Sequence, residues 1–147
     1  MAAGDFQVFD QFAIHIGEKA INLETDDIKL ALITSTLAPN RTATAVWGTY
    51  SANEVSGTGY TAGGASLSGP ELILASNVAT FDDDDSDITW SQNGAGFTDA
   101  RYGILYSDTA TTDEAIGFLD LGADVGNVAG DLVVSFNASG ILTITVT

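Results

Sequence analysis

The run Asp27-Ile-Lys-Leu-Ala-Leu-Ile-Thr34 marks the point at which the sequence changes from a helical to a strand periodicity. Ile28, Leu30 and Leu32 alternate along it with the side chains between them, which is the two-residue period of a β-strand. The sequence therefore predicts a strand here with at least one buried face. The residues that follow, 34 to 49, contain the turn signal Pro39-Asn40 and are predicted to form a loop.

Downstream of this strand, short apolar runs continue to the end of the sequence. Each is a predicted strand: Leu72–Leu74, Val78–Phe81, Ile88–Trp90, Arg101–Tyr106, Ala115–Leu121, Leu132–Phe136 and Ile141–Val146. Ser76-Asn77 separates two runs at hairpin spacing, and Asn137-Ala-Ser-Gly140 joins the last two. In the last run Leu142, Ile144 and Val146 are expected to share one face.

Upstream, Asp5 to Ala20 is predicted to form an amphipathic helix, because apolar side chains recur at spacings of three and four. The stripe consists of Phe6, Phe9, Ala13, Ile16 and Ala20, with Phe12 at its edge. The helix is expected to pack on the core of its own domain, or to dock on a neighbouring subunit. Under the second interpretation Phe6, Phe9 and Phe12 are candidate interface residues.

These elements together predict the fold class and the domain organisation. Many short strands and one helix predict a mainly β fold, an antiparallel sandwich or barrel that is jelly-roll-like, with one N-terminal α-helix. A length of 147 residues corresponds to a single domain, residues 1–147. No apolar stretch approaches the length needed to cross a bilayer, so no membrane partner is expected.

Charge restricts the expected partners. Twenty acidic against four basic residues give a formal net charge of −16. Such a surface repels phosphate backbones, so direct nucleic-acid binding is not expected. Lys19, Lys29 and Arg41 lie in the first third and only Arg101 lies later, so docking on another protein would be polarised. The simpler interpretation is that the acidic residues keep the protein soluble.

The composition offers little for catalysis or metal binding, so neither an enzyme nor a cofactor is predicted. Without cysteine, thiol catalysis and cysteine-bound zinc are excluded. His15 is the only histidine and is expected to be exposed on the polar helix face. The acidic run Asp82–Asp85 with Asp87 lacks the spacing of an EF-hand loop and is predicted to be a solvated loop, with weak calcium binding as the alternative.

The segment Tyr50-Ser-Ala-Asn-Glu-Val-Ser-Gly-Thr-Gly-Tyr-Thr-Ala-Gly-Gly-Ala-Ser-Leu67, called here the tyrosine–glycine segment, is the most distinctive part of the chain. It fails as a phosphate-binding loop because Ala62 breaks the Gly-x-Gly-x-x-Gly spacing and no Gly-Lys-Ser/Thr follows. Its glycines suit tight turns or close backbone approach, and Tyr50 and Tyr60 offer amphipathic contact area. The segment is therefore predicted to be an interface or an ordered connection.

Five segments form a recognisable set: the N-terminal Asp-Phe-x-Val-Phe-Asp-Gln-Phe motif and residues 27–34, 50–64, 97–106 and 116–122. This set resembles small virion proteins of marine and other environmental tailed bacteriophages. The resemblance implies a head decoration or cement protein on the outer capsid surface, with the major capsid protein as partner. It also implies a homo-oligomer, a trimer at local three-fold axes. The family has no catalytic residues to transfer.

Two other function classes stay open. A tail, fibre or adhesin component that binds a host receptor would also suit a β domain, and a small glycan hydrolase is the weaker alternative. For the decoration protein, we expect the N-terminal third to face the capsid or the trimer interface, because it holds most of the bases and the three phenylalanines.

Overall fold

The computed structural model describes residues 6–84 and 87–147, and it is mainly β, as the periodicity predicted. Ten strands form antiparallel sheets, and the described residues contain one α-helix. The elements are β1 (Gln7–Val8), α1 (Phe12–Gly17), β2 (Ile28–Ile33), β3 (Ala65–Ser66), β4 (Glu71–Ala75), β5 (Val78–Asp82), β6 (Ile88–Trp90), β7 (Ala100–Ser107), β8 (Ala115–Val125), β9 (Leu132–Val134) and β10 (Leu142–Thr145).

The main sheet has five strands in the order β1-β8-β7-β2-β3. β2 lies next to β7, with Ile28 opposite Ser107 and Ile33 opposite Tyr102. β2 is buried on both faces, which explains why the side chains between its alternating leucines are also apolar.

Two hydrophobic cores lie on opposite faces of β2. Leu30 and Leu32 belong to the first core, which is completed by side chains of the two smaller sheets, such as Phe81 and Trp90. Ala31 and Ile33 point to the second. The second core is covered by Ala45, Trp47 and Tyr50 from the predicted loop and the residues after it, together with Phe9, Ile104, Tyr106, Ala115 and Phe118.

The smaller sheets confirm most of the predicted strands. β4 and β5 form a hairpin in which Ala75 lies opposite Val78, so Ser76-Asn77 is its two-residue turn. β5 also pairs with β10, giving the order β10-β5-β4, while β6 pairs with β9. β9 and β10 therefore belong to different sheets, and residues 137 to 140 connect two sheets instead of closing a hairpin.

The predicted N-terminal helix is wrong over its first half. Gln7 and Val8 pair with β8, and the Phe9 backbone N–H donates to the Ile116 carbonyl at 3.0 Å. The helix covers only Phe12–Gly17. The edge of β8 offers backbone partners to residues 7–9, and this pairing outweighs the local helical periodicity. Asp5 lies outside the described residues.

Candidate functional site

The tyrosine–glycine segment lies along the outer edge of β2. The Val55 N–H donates to the Leu32 carbonyl at 3.0 Å, and the Leu67 N–H donates to the Ile28 carbonyl at 2.8 Å. β3, near the end of the segment, pairs with Lys29 and Leu30. The segment is thus held to β2 at both ends, while residues 56 to 63 make no backbone hydrogen bond with the strand.

Between these two ends, the hydroxyl of Tyr60 supplies a hydrogen-bond acceptor for β2. The Leu32 N–H donates to the Tyr60 Oη at 2.9 Å, as it would to a strand carbonyl. The Tyr60 hydroxyl donates in turn to Glu54 Oε1 at 2.8 Å, and the Gly63 N–H donates to the same oxygen at 2.6 Å. Burial raises the pKa of Tyr60, so its hydroxyl keeps the proton that it donates.

Close backbone approach explains the glycines near the end of the segment. Gly64 has a φ of +84°, and a Cβ at this position would collide with the Leu30 carbonyl oxygen. The neighbouring Gly63 carbonyl accepts a hydrogen bond from the Tyr106 hydroxyl at 2.8 Å. The surface that Gly64 approaches is thus the protein's own strand β2, so this end of the segment forms an ordered connection.

Tyr50 lies in the second core, away from Tyr60. Its ring stacks on Phe9 at a centroid distance of 5.9 Å, and Phe9 also contacts Phe118 at 5.1 Å. Trp47 stacks on Tyr106 in the same core, at 5.2 Å. The Tyr50 hydroxyl is buried with no hydrogen-bond partner among the described residues, and burial raises its pKa.

The five candidate interface residues are mostly core residues. Phe9, Phe12 and Tyr50 are at most 4% exposed, so they offer no surface to a partner in this conformation. Phe6 and Tyr60 are half-buried, with Phe6 packed edge-on against Phe136. Phe9 and Phe12 thus pack into the two cores of their own domain, which is the first of the two alternatives expected for the N-terminal segment. A role of these residues in an interface stays a prediction.

Asn127 is a structural residue that the sequence analysis missed. It is fully buried, and its Oδ1 accepts from the Phe97 N–H at 3.0 Å. Its Nδ2 donates to the Thr58 carbonyl at 3.2 Å and to the Ser91 carbonyl at 2.9 Å. One side chain thus ties the tyrosine–glycine segment to two other loops. The only signal in the sequence is the concentration of glycines in those loops, which let their backbones come close.

Three of the four bases are paired with the protein's own carboxylates. The ion pairs are Lys29–Asp108 at 2.7 Å, Arg41–Asp10 at 3.0 Å and Arg101–Asp120 at 2.8 Å. The hydrogen bond that Lys29 Nζ donates to the Asp108 carboxylate raises the pKa of Lys29. The bases of the N-terminal third are thus largely neutralised within the domain, and the outward charge is strongly negative.

The predicted exposure of the remaining chemical groups is partly wrong. His15 is half-buried beside Gln11, Glu18 and Glu114, and its Nδ1 has no partner among the described residues. In the acidic run, Asp83 is only 6% exposed, so that part is not solvated. Asp85 lies outside the described residues. Within the described ranges, no group of three or more His, Asp or Glu side chains could hold a metal ion.

This arrangement fixes loops against the main sheet, since the Glu54 carboxylate and the Asn127 amide each make hydrogen bonds with several partners.

No helix in the described part of the chain is long and apolar enough to cross a membrane. No protein-family model, curated protein or solved structure matches the chain.

Proposed function

We propose that this protein is a decoration (cement) protein of a tailed bacteriophage, which binds the outer surface of the head and stabilises the capsid lattice. The resemblance of its sequence segments to small phage virion proteins carries the proposal. Those segments include β2 and most of β7 and β8, and the tyrosine–glycine segment that covers the edge of β2. The resemblance therefore involves the framework of the domain.

The stiffness of the domain supports this function. A cement protein links neighbouring capsomers through many shallow contacts, so it must not deform when the capsid is under outward pressure. Tyr60 and Asn127 fix the longer loops by hydrogen bonds that span large distances in sequence. Such bonds rigidify loops that would otherwise be mobile.

The charge distribution supports a basic partner surface. With a net charge of −16 and three bases already paired, the protein is attracted to a positively charged surface and repelled by an acidic one. We propose that the major capsid protein presents such a surface on the outside of the head. The trimer implied by the resemblance stays a prediction.

A reconstitution experiment tests the proposal. Heads that lack this protein are mixed with the purified protein, bound protein is measured by co-sedimentation, and head stability by thermal rupture. We expect saturable binding that raises the rupture temperature and weakens as salt is added. An unrelated acidic domain of similar charge serves as control. Failure to bind at low salt, or binding without stabilisation, contradicts the proposal.

The contact surface requires point variants, because deleting residues 2 to 20 would remove β1, α1 and two buried phenylalanines. Ile14 in α1 is 58% exposed, and Val146 beyond β10 is 73% exposed. If the N-terminal third faces the capsid, Ile14→Asp weakens head binding and Val146→Asp does not. Equal binding by both variants would place the contact elsewhere.

Copy number separates this function from a tail, fibre or adhesin component. Quantitative mass spectrometry of purified virions gives the ratio of this protein to the major capsid protein. A decoration protein is expected at a copy number comparable with that of the capsid protein, whereas an adhesin is present in a few copies. A low ratio would favour the adhesin.

A further inference from the structure

The outer edge of β4 is the least protected sheet edge in the described part of the chain. β4 has five residues and lies at the end of the sheet β10-β5-β4. The other edge strands are shorter: β1 and β3 have two residues each, β6 and β9 have three, and β10 has four. Proteins commonly protect exposed edges by short strands, lysine or proline. β4 contains neither lysine nor proline and is mostly apolar.

The apolar side chains of β4 extend beyond the protein's own core. Leu72 lies opposite the buried Phe81, and Leu74 lies opposite Ala79, so both leucines project from the core face of this sheet. Leu74 is nevertheless 72% exposed, and Ile73 on the other face is 51% exposed. The core face of this sheet is thus left uncovered at Leu74 by the other elements of the described part of the chain.

An open apolar groove of about 460 Å³ adjoins this face. It lies between the end of α1 with the residues that follow and the core face of β4 and β10. Its apolar lining includes Ile16, Ile21, Leu23, Leu72 and Ile144. Leu72 both lines the groove and lies in the edge strand β4. A strand that pairs with β4 therefore also contacts the groove.

The residue order of β4 favours a second copy of the same strand as the occupant. Antiparallel pairing about a two-fold axis at Ile73 places Glu71 opposite Ala75 and Leu72 opposite Leu74. The one charged residue then faces a methyl group, and the leucines form one continuous apolar face. Parallel pairing in register would place the two Glu71 carboxylates side by side, which is unfavourable.

We propose that β4 is an interface at which two copies of this chain pair edge to edge in antiparallel orientation. The two three-stranded sheets become one sheet of six strands, and Leu74 of each copy lies beside Leu72 of the other, at the groove. The interface is isologous, so it closes at two copies. It does not depend on the capsid function proposed above.

Charge determines how this pairing responds to salt. Each copy has a net charge of −16, so the two copies repel each other at long range. Added salt screens this repulsion, and we therefore expect self-association to strengthen as salt is added. Binding to a basic capsid surface is expected to weaken under the same conditions, which separates the two associations.

The first test measures the mass of the full chain in solution by sedimentation velocity at low and high salt. We expect the wild-type mass at high salt to be twice that of the Leu74→Lys variant. Val146→Lys is the matched control, because Val146 is 73% exposed and follows the opposite edge strand of the same sheet. If the predicted trimer forms through another surface, the wild-type mass at high salt is still at least twice that of the Leu74→Lys variant.

The second test uses the absence of native cysteine. In the proposed register Ile73 faces Ile73 of the second copy, with Cα atoms about 4.5–5.5 Å apart, which suits a disulfide. Ile73→Cys should form a covalent dimer under mild oxidation, whereas Val146→Cys should not. Circular dichroism verifies that each variant is folded.

Three results would overturn the pairing. One is a wild-type mass equal to that of Leu74→Lys at every salt concentration. Another is self-association that weakens with salt. The third is cross-linking of Val146→Cys without cross-linking of Ile73→Cys, which would assign the contact to the β10 side of the sheet.

Discussion

At the scale of the residue, two tyrosines of one segment have opposite hydrogen-bonding environments. The Tyr60 hydroxyl makes two hydrogen bonds, one to a strand N–H and one to the Glu54 carboxylate. The Tyr50 hydroxyl is buried without a partner among the described residues. Removing the hydroxyl oxygen should therefore lower the free energy of unfolding at Tyr60 but not at Tyr50.

Tyr60→Phe is expected to lower the free energy of unfolding by about 2–3 kcal/mol. The substitution leaves the Leu32 N–H without its acceptor and removes a donor from Glu54. Urea denaturation followed by circular dichroism measures the change. Tyr102→Phe is the control, because Tyr102 is also half-buried and its hydroxyl has no hydrogen bond within the described residues. Equal stability of the two variants would contradict the role given to Tyr60.

Tyr50→Phe is expected to leave the free energy of unfolding unchanged or to raise it by about 1 kcal/mol. The ring keeps its stacking on Phe9, while the cost of burying an unpaired hydroxyl disappears. The same urea denaturation measures the free energy of unfolding of this variant. A loss of more than about 1 kcal/mol would mean that the hydroxyl has a partner, such as a buried water.

At the scale of the element, the edge of β2 requires a glycine at position 64. Gly64→Ala is expected to lower stability by about 2 kcal/mol or more, because the residue has positive φ and the methyl group would collide with Leu30. Gly48→Ala is the matched control, since no atom lies within 4 Å of its added Cβ and its φ is not positive. Thermal unfolding of both variants compares the two effects, and similar midpoints would argue against the close approach.

Asn127 is the second element-scale determinant, because it joins three loops. Asn127→Ala leaves three backbone groups without their side-chain partner, and we expect a loss of about 3 kcal/mol or more. Hydrogen exchange should increase first in residues 57–60 and 91–97. The control Asn137→Ala removes only one local, exposed hydrogen bond. Unchanged exchange in both loops would contradict the proposed connection.

At the scale of the whole molecule, buried tyrosines make stability depend on alkaline pH. Burial raises the pKa of Tyr50, Tyr60 and Tyr106 above the usual value near 10. Above about pH 10 the unfolded chain loses these protons while the folded chain keeps them, so stability falls as pH rises. The raised pKa of Lys29 acts in the same direction.

Absorbance at 295 nm, which reports tyrosine ionisation, measures this effect. We expect part of the tyrosine signal to appear only together with loss of the far-ultraviolet circular dichroism, whereas in urea all four tyrosines titrate near pH 10. Tyr60→Phe should show a weaker dependence of stability on alkaline pH than the wild type. Tyrosine ionisation that is complete before unfolding would contradict the prediction.

The sequence by itself determined the fold class, most of the strands and the β4–β5 hairpin. The reason is that a two-residue alternation and a two-residue turn are local properties of the chain. The same local reasoning failed for residues 7–9, where helical periodicity predicted a helix. There the partner is β8, more than a hundred residues away, and its unpaired backbone edge decided the structure.

Only the tertiary structure decided how the tyrosine–glycine segment is used. Its glycines indicated a close approach, but not that Gly64 would approach β2 and Gly57 the loop at Gly96. Tyr60 is hydrogen-bonded to a strand residue 28 positions away, and Asn127 to a loop residue 30 positions away. Contacts at such separations leave no periodic signal, because they depend on which surfaces the folded chain brings together. The same holds for the free edge of β4, whose exposure follows from strand order and not from its own five residues.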